Sequence, residues 1–155
     1  MSVYPNGTVD AGGTYTMDFT SASAILAYLP AVGTANALTS NVGDPTTTVS
    51  GLFGGDVLAL SLDIAFSDAG KLAGTTGYAF GDLTLCGLSP TSLNGQTIRQ
   101  YPAIVNALLG GGSSGGFTGA DIPTLDPITD SIAGAFNGGS PSTFAQQHLF
   151  NGACP

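Results

Sequence analysis

The chain has one histidine, His148, two cysteines, Cys86 and Cys154, and ten acidic residues, every one an aspartate. Any Ser-His-Asp or Cys-His scheme must therefore pass through His148. That residue falls in the last turn of the final expected helix, beside Leu149 and Phe150, where an imidazole complements the helix C-terminus. Glycoside hydrolysis would have to use two aspartates, because glutamate is missing, and no aspartate pair stands in a recognisable setting. Zinc would find Cys86, Cys154 and His148, one ligand short of a structural site, and would consume both thiols.

Aspartate can also serve hard cations, which take carboxylate and backbone oxygens from glycine-rich loops. Asp10, Asp44, Asp68, Asp121 and Asp126 are the calcium candidates, and calcium is the one cofactor this sequence suggests. There is no Asp-x-Asp-x-Asp-Gly spacing, so such a site would be assembled from distant segments. The competing reading makes Asp44 and Asp68 turn residues and Asp121 the cap of a helix beginning with Pro123. Asp63, between Leu62 and Ile64, must face solvent or accept a hydrogen bond. Two glycine patterns, Gly110-x-Gly112-x-x-Gly115 and Gly111-x-Ser113-x-Gly115, match nucleotide-binding and nucleophile-elbow motifs. Both need a strand before and a helix after, whereas a helix precedes and Phe117-Thr118-Gly119 follows, so both are chance matches in a Gly/Ser run.

The rest of the composition narrows the setting. Lys71 and Arg99 are the only basic residues among 155, and the net charge is −8. Nucleic acid and anionic membranes need basic patches, which excludes both as partners. The 24 glycines and 9 prolines describe a loop-rich chain, and the 43% of apolar residues suffice for a real core. One domain spanning 1–155 is expected. Its surface is solvated by Ser, Thr, Asn and Gly in place of Lys and Glu, a bias of secreted and cell-surface bacterial proteins. Cys86 and Cys154 are expected to pair, pinning the tail across a long loop, with two buried free thiols as the alternative. The opening Met1-Ser2-Val3-Tyr4-Pro5-Asn6 has no apolar core of a signal peptide, so a leader is expected to lie outside this sequence. The longest apolar run, Val57-Leu58-Ala59-Leu60, is far too short to cross a membrane. Asn6-Gly7-Thr8 is formally a glycosylation sequon and equally a turn.

These residues must be placed by short elements. Residues 1–13 are turn-rich, and Thr14 to Thr20 alternates as a strand with Tyr15, Met17 and Phe19 on one face. Ser21 and Ser23 precede a short helix, Ala24 to Leu29, which Pro30 ends. Residues 31–48 carry loop signals. The stretch from Ser50 to Phe66 fits both strand alternation and a helical stripe; its length, Ser50 as cap and Gly70 as stop favour a helix. Gly54-Gly55 would then let another segment approach closely. Residues 82–86 form a short strand. Ile98, Tyr101, Val105, Leu108 and Leu109 keep helical spacing, with Pro102 kinking that helix or setting its start. Ile122, Leu125, Ile128, Ile132 and Phe136 form another stripe. Ser140 as cap and Pro141 at the first position launch a last helix, 142–150. The expected fold is a helix-rich α+β domain with a few short strands near the N-terminus and around residues 82–86 and helices in the second half.

Four segments together carry a resemblance: Phe53 to Gly70, Phe80 to Cys86, Leu93 to Gln100 with Asn106 to Gly112, and Ser142 to Leu149. They resemble an uncharacterised extracellular module of large secreted bacterial surface proteins. The resemblance covers most of residues 20–152, implies an accessory extracellular role and carries over no site residues. The expected function is a non-catalytic structural or adhesive module that meets copies of itself or other surface proteins, with residues 1–20 as an extended stretch for edge-to-edge assembly. One alternative is a calcium-assisted carbohydrate-binding module whose five tyrosines stack on sugars; another is a secreted hydrolase using His148.

Overall fold

The computed structural model describes residues 3–4, 7–75 and 77–155; Asn6 of the sequon lies outside them. In chain order the elements are β1 (Val9–Gly12), β2 (Thr16–Phe19), α1 (Ala22–Tyr28), β3 (Val42–Gly43), α2 (Gly51–Asp68), β4 (Thr84–Leu85), α3 (Tyr101–Leu109), α4 (Ile122–Ala133), α5 (Thr143–His148) and β5 (Leu149–Phe150). The mixed α+β architecture, with helices dominating the second half, agrees with the reading of the sequence.

The organising element is α2, 18 residues long, with Phe53, Val57, Leu58, Leu60 and Leu62 all buried. It is apolar nearly all round, so other elements pack on several of its sides, α4 most extensively, then α3, the 3-10 turn Phe80–Asp82 and β1. A helix buried in this way has no sharp polar face, which is why its sequence also fitted a strand. The glycines in its first turns are what let neighbours in. A methyl on Gly54 would lie 2.5 Å from the Tyr28 hydroxyl, and one on Gly55 would lie 2.6 Å from Cβ of Ala31. The 28–31 segment is thereby seated on the helix backbone, as the expected close approach required.

A three-stranded sheet covers one end of the core. β1 pairs antiparallel with β2, Val9 opposite Phe19 and Ala11 opposite Met17, and β3 joins β2 in parallel. Val9, Ala11, Met17 and Phe19 are buried, so β1 corrects the turn-rich reading of residues 1–13: two residues facing the core are enough for a short strand when β2 supplies the ladder. β3 is a second strand in a region read as loop, held by two pairings. The turn after β1 docks on the end of α3. Gly12 N–H donates to Oδ1 of Asn106 at 2.8 Å and Tyr15 N–H to the Gly110 carbonyl at 3.1 Å. A Cβ on Gly110 would collide with the backbone of Gly13 and Thr14, so this contact depends on glycine. The outer edge of β1 at Gly12 therefore faces α3.

In the second half, Pro102 sits in the first turn of α3 and sets its start. A buried polar link joins α3 to α4: the Tyr101 hydroxyl lies 2.9 Å from Oγ1 of Thr129, which donates to the Leu125 carbonyl. The start of α5 needs a correction. Ser142, and not Ser140, is its cap, accepting from Ala145 N–H, because Ser142 N–H is itself tied to the Ala135 carbonyl at the end of α4. β5 then pairs antiparallel with β4. Cys86 and Cys154 form a disulfide across 68 residues, holding the tail against this two-stranded sheet.

Two outcomes test the packing. Gly55→Ala gains about 1 kcal/mol of helix propensity and incurs about 2 kcal/mol of overpacking against Ala31, so thermal unfolding should show a net loss near 1 kcal/mol; an unchanged or raised midpoint contradicts the seating. Replacing Cys86 and Cys154 together by Ala should lower unfolding free energy by about 3–4 kcal/mol on the chain-entropy account, measured by urea denaturation under non-reducing conditions.

Candidate functional site

The expected site residues are distributed over the molecule, and most are engaged by nearby protein groups. Asp44, at a φ of +43° after β3, accepts from the backbone N–H and the hydroxyl of Thr20 at 2.7 and 2.6 Å, which hold its carboxyl below the ordinary value. It closes the loop after β3 onto β2. Asp10 lies directly across the ladder from Asp18; partial burial and then the Asp18 charge raise its carboxyl. Asp68, at the end of α2, receives both Nη atoms of Arg99 at 2.7 and 2.9 Å, while Nε of Arg99 reaches Asp82 at 3.1 Å. The guanidinium holds Asp68 below its usual value. This exposed fork joins the end of α2 to the segments before β4 and α3.

Asp121 completes a capping box with Thr118, accepting the Thr118 N–H at 2.7 Å. Its cap therefore serves the short 3-10 turn 119–121 that leads into α4, one turn earlier than expected. His148 is the last residue of α5, and its Nδ1 lies 2.8 Å from the Cys86 carbonyl. A carbonyl can only accept, so Nδ1 carries the hydrogen. The ring packs on Phe144 with centroids 4.9 Å apart. The imidazole thus ties α5 to the residue that forms the disulfide. Among the described residues no group of three His, Cys, Asp or Glu side chains is arranged to hold a metal ion.

One convergence of acids does exist, and it centres on a residue absent from the expected set. Asp56, in the second turn of α2, meets Asp126 and Asp130 of α4 across the largest helix–helix contact of the fold. Burial first, and then the hydrogen bond and charge of Asp126 and the charge of Asp130, push the Asp56 carboxyl up to about 8. Asp126 is also raised, mainly by burial. Oδ1 of Asp126 is buried with no hydrogen-bond partner among the described residues. Protonated Asp56 is the donor in its hydrogen bond with Asp126, so near neutral pH the pair holds one proton between two carboxyls. Asp63, about two turns further along α2, is pushed up to about 6 by burial. The signals for this cluster were present: Asp126 and Asp130 stand at i and i+4, a like-charge pair on one helix face, and Asp56 interrupts the most apolar stretch of a chain with almost no cations to offer.

Asp56 and Asp130 also line an open groove of about 440 Å³. Its walls are Leu29, Pro30 and Ala31 on one side and Leu52, Gly55 and Ala59 of α2 on the other. Two further depressions lie on the same half of the molecule, one of about 400 Å³ between residues 38–42 and 47–49 and a smaller one under Thr46, Thr47 and Thr48 beside Val32. Comparison with protein-family models, with curated proteins and with solved structures gives no match to this chain.

The acid pair makes stability depend on pH in a definite direction. Asp56 and Asp63 have folded values above the unfolded value of 3.8, so the fold favours their protonated forms. Stability is full below about pH 4 on this account and declines as pH rises through about 6 and then about 8. Asp44 and Asp68 are lowered and act the other way, their contribution being lost only as pH falls below 3.8. Thermal unfolding should therefore peak at acidic pH, near 4–5. Asp56→Asn should flatten the alkaline decline, adding about 1–2 kcal/mol at pH 8 once screening by the open groove is allowed for. A stability plateau from pH 5 to 9 in the parent chain contradicts the shared proton.

Proposed function

We propose that the chain is a non-catalytic extracellular module of a bacterial surface, structural or adhesive, that works through one weakly charged face. The observation that carries this reading is the exposure of large apolar side chains around the threonine-lined depressions. Val32 is 73% exposed, Val49 58% and Leu52 45%, and Leu26, on the helix just before the groove wall, is 75% exposed. Between Phe19 and Gly55 the only charged residue is Asp44, whose carboxylate is occupied by Thr20. Apolar area gathered on a surface otherwise solvated by short polar side chains is the chemistry of contact. The long-range disulfide suits an oxidising exterior, and no helix among the described residues is long and apolar enough to cross a membrane.

Assembly, in this reading, goes through the apolar face and not through β1, whose edge at Gly12 is already bonded to Asn106. The carbohydrate and hydrolase alternatives draw no comparable support, since the calcium candidates accept from Thr20, Arg99 or Thr118, face another aspartate, or stand opposite one, and the histidine is bonded to a backbone carbonyl.

Deposition on an alkane-coated quartz crystal and sedimentation velocity over a concentration series test the proposal together. The parent chain should adsorb and resist rinsing in 0.5 M salt, about the ionic strength at which charge contacts are screened to a few ångströms, and should sediment faster as concentration rises. The triple variant Val32→Ser, Val49→Ser, Leu52→Ser should lose most of both effects with its unfolding midpoint kept. Equal adsorption and sedimentation by parent and variant would defeat the reading.

A further inference from the structure

The groove beside Asp56 adjoins the proposed contact face, and its chemistry specifies more than stickiness. Its walls are hydrocarbon, contributed by Leu29, Pro30, Ala31, Leu52 and Ala59, and among the described residues the charged groups on its lining are Asp56 and Asp130. Asp126 faces Asp56 from α4, with one buried oxygen that has no hydrogen-bond partner among the described residues. Neither cation of the chain serves this place: Arg99 is committed to Asp68 and Asp82, and Lys71 lies beyond the far end of α2 in sequence. The groove is thus an apolar channel with uncompensated negative charge at one side. We propose that it receives the basic side chain of a partner polypeptide, a lysine or arginine whose aliphatic stem lies along Leu29, Pro30, Leu52 and Ala59 and whose cationic head sits between Asp56 and Asp130.

Three physical points support this occupant over others. A hard divalent cation takes six to eight oxygens, and the lining offers two carboxylates among methyl and methylene groups. A neutral apolar side chain would match the walls and leave the carboxyls without partners, at the desolvation cost of an unpaired polar group. A basic side chain answers both surfaces at once, because its stem is hydrocarbon and its head is charged. It also offsets the negative charge that Asp56 acquires on ionising beside Asp130. Binding is therefore coupled to ionisation: the entering cation favours the charged form of Asp56, a proton leaves, and affinity rises with pH across the range in which Asp56 titrates. The groups facing Asp56 that share in this titration are Asp126 and Asp130 from α4; the 29–31 segment contributes none, and from α3 the Tyr101 hydroxyl reaches only the α4 side, at Thr129. The inference refines the contact-face reading by naming the partner's chemistry, and it stands or falls separately from adsorption.

The experiment uses the full chain and two capped tripeptides, acetyl-Ala-Lys-Ala-amide and its norleucine counterpart, which keeps the stem and removes the charge. Amide NMR shifts of Leu52, Gly55 and Ala59 should saturate with the lysine peptide and barely move with the norleucine one. Affinity should rise about tenfold between pH 6 and pH 9, and calorimetry in buffers of different ionisation heat should show proton release near pH 7. Asp130→Asn should weaken binding about fivefold or more and Asp56→Asn should abolish the proton release, whereas Asp10→Asn with Asp18→Asn should change neither. The proposal is overturned if the norleucine peptide binds equally, if the lysine peptide perturbs Asp10, Asp18 and Asp44 as strongly as the groove, or if calcium chloride alone produces the same saturable shifts. A retained adsorption together with no lysine-peptide binding would remove this inference and leave the contact face intact.

Discussion

A helix with apolar side chains on nearly every side must be enclosed, and the enclosure of α2 sets most of what the molecule is. Phe53, Val57, Leu58 and Leu60 are fully buried, so α3, α4 and β1 are drawn to different faces of one element. Gly54 and Gly55 add a further neighbour by letting Tyr28 and Ala31 rest on the helix backbone. Without those two missing side chains the 28–31 segment would stand off, and the groove it forms with Leu52 and Ala59 would lose a wall. The same enclosure explains the acid pair, because Asp56 is carried by the register of α2 into its main contact with α4.

Charge economy is the second constraint, and it follows from composition. Two cations cannot neutralise ten aspartates, so the fold uses amide and hydroxyl donors instead. Thr20 serves Asp44, the Thr118 backbone serves Asp121, and the single well-placed guanidinium serves Asp68 and Asp82 together. These are short-range solutions on the surface, each worth little in stability. Oδ1 of Asp126 has no such donor among the described residues, and Asp56 meets Asp126 through a proton that the two carboxyls share. The pH response of the fold therefore follows from the chain's shortage of cations.

Local signals in the sequence were reliable where they concern the chain's own backbone. Ser21 before α1, Pro102 at the start of α3, Gly70 after α2 and the alternation of Met17 and Phe19 act within a few residues, and each was legible. The Cys86–Cys154 pair was legible because the sequence offers two cysteines and no third thiol to compete for either, with two buried free thiols as the alternative that the structure removes. What failed was what depends on partners far along the chain. β1 is a strand because Phe19 and Met17 lie opposite Val9 and Ala11, and Ser140 yields to Ser142 because the Ala135 carbonyl holds the latter. Asp56 was passed over for a related reason: its neighbours Asp126 and Asp130 are seventy residues away, and a carboxylate inside an apolar run looks like an exposed helix position until the opposing helix is known. His148 was correctly located in a last helical turn, but its partner is the carbonyl of Cys86 and not the end of its own helix.

The claim on which this account rests is that Asp56 and Asp126 hold one proton between them at neutral pH. Carbon-13 NMR of the aspartate carboxyl carbons, followed from pH 3 to pH 10, tests it directly. The account predicts that Asp44 and Asp68 titrate below the ordinary aspartate range, whereas the Asp56–Asp126 pair gives two well-separated steps with the later one near 8. If both carboxyls of the pair instead lose their protons together near 4, about the value of a solvated aspartate, the two helices do not confine them as described and the account fails.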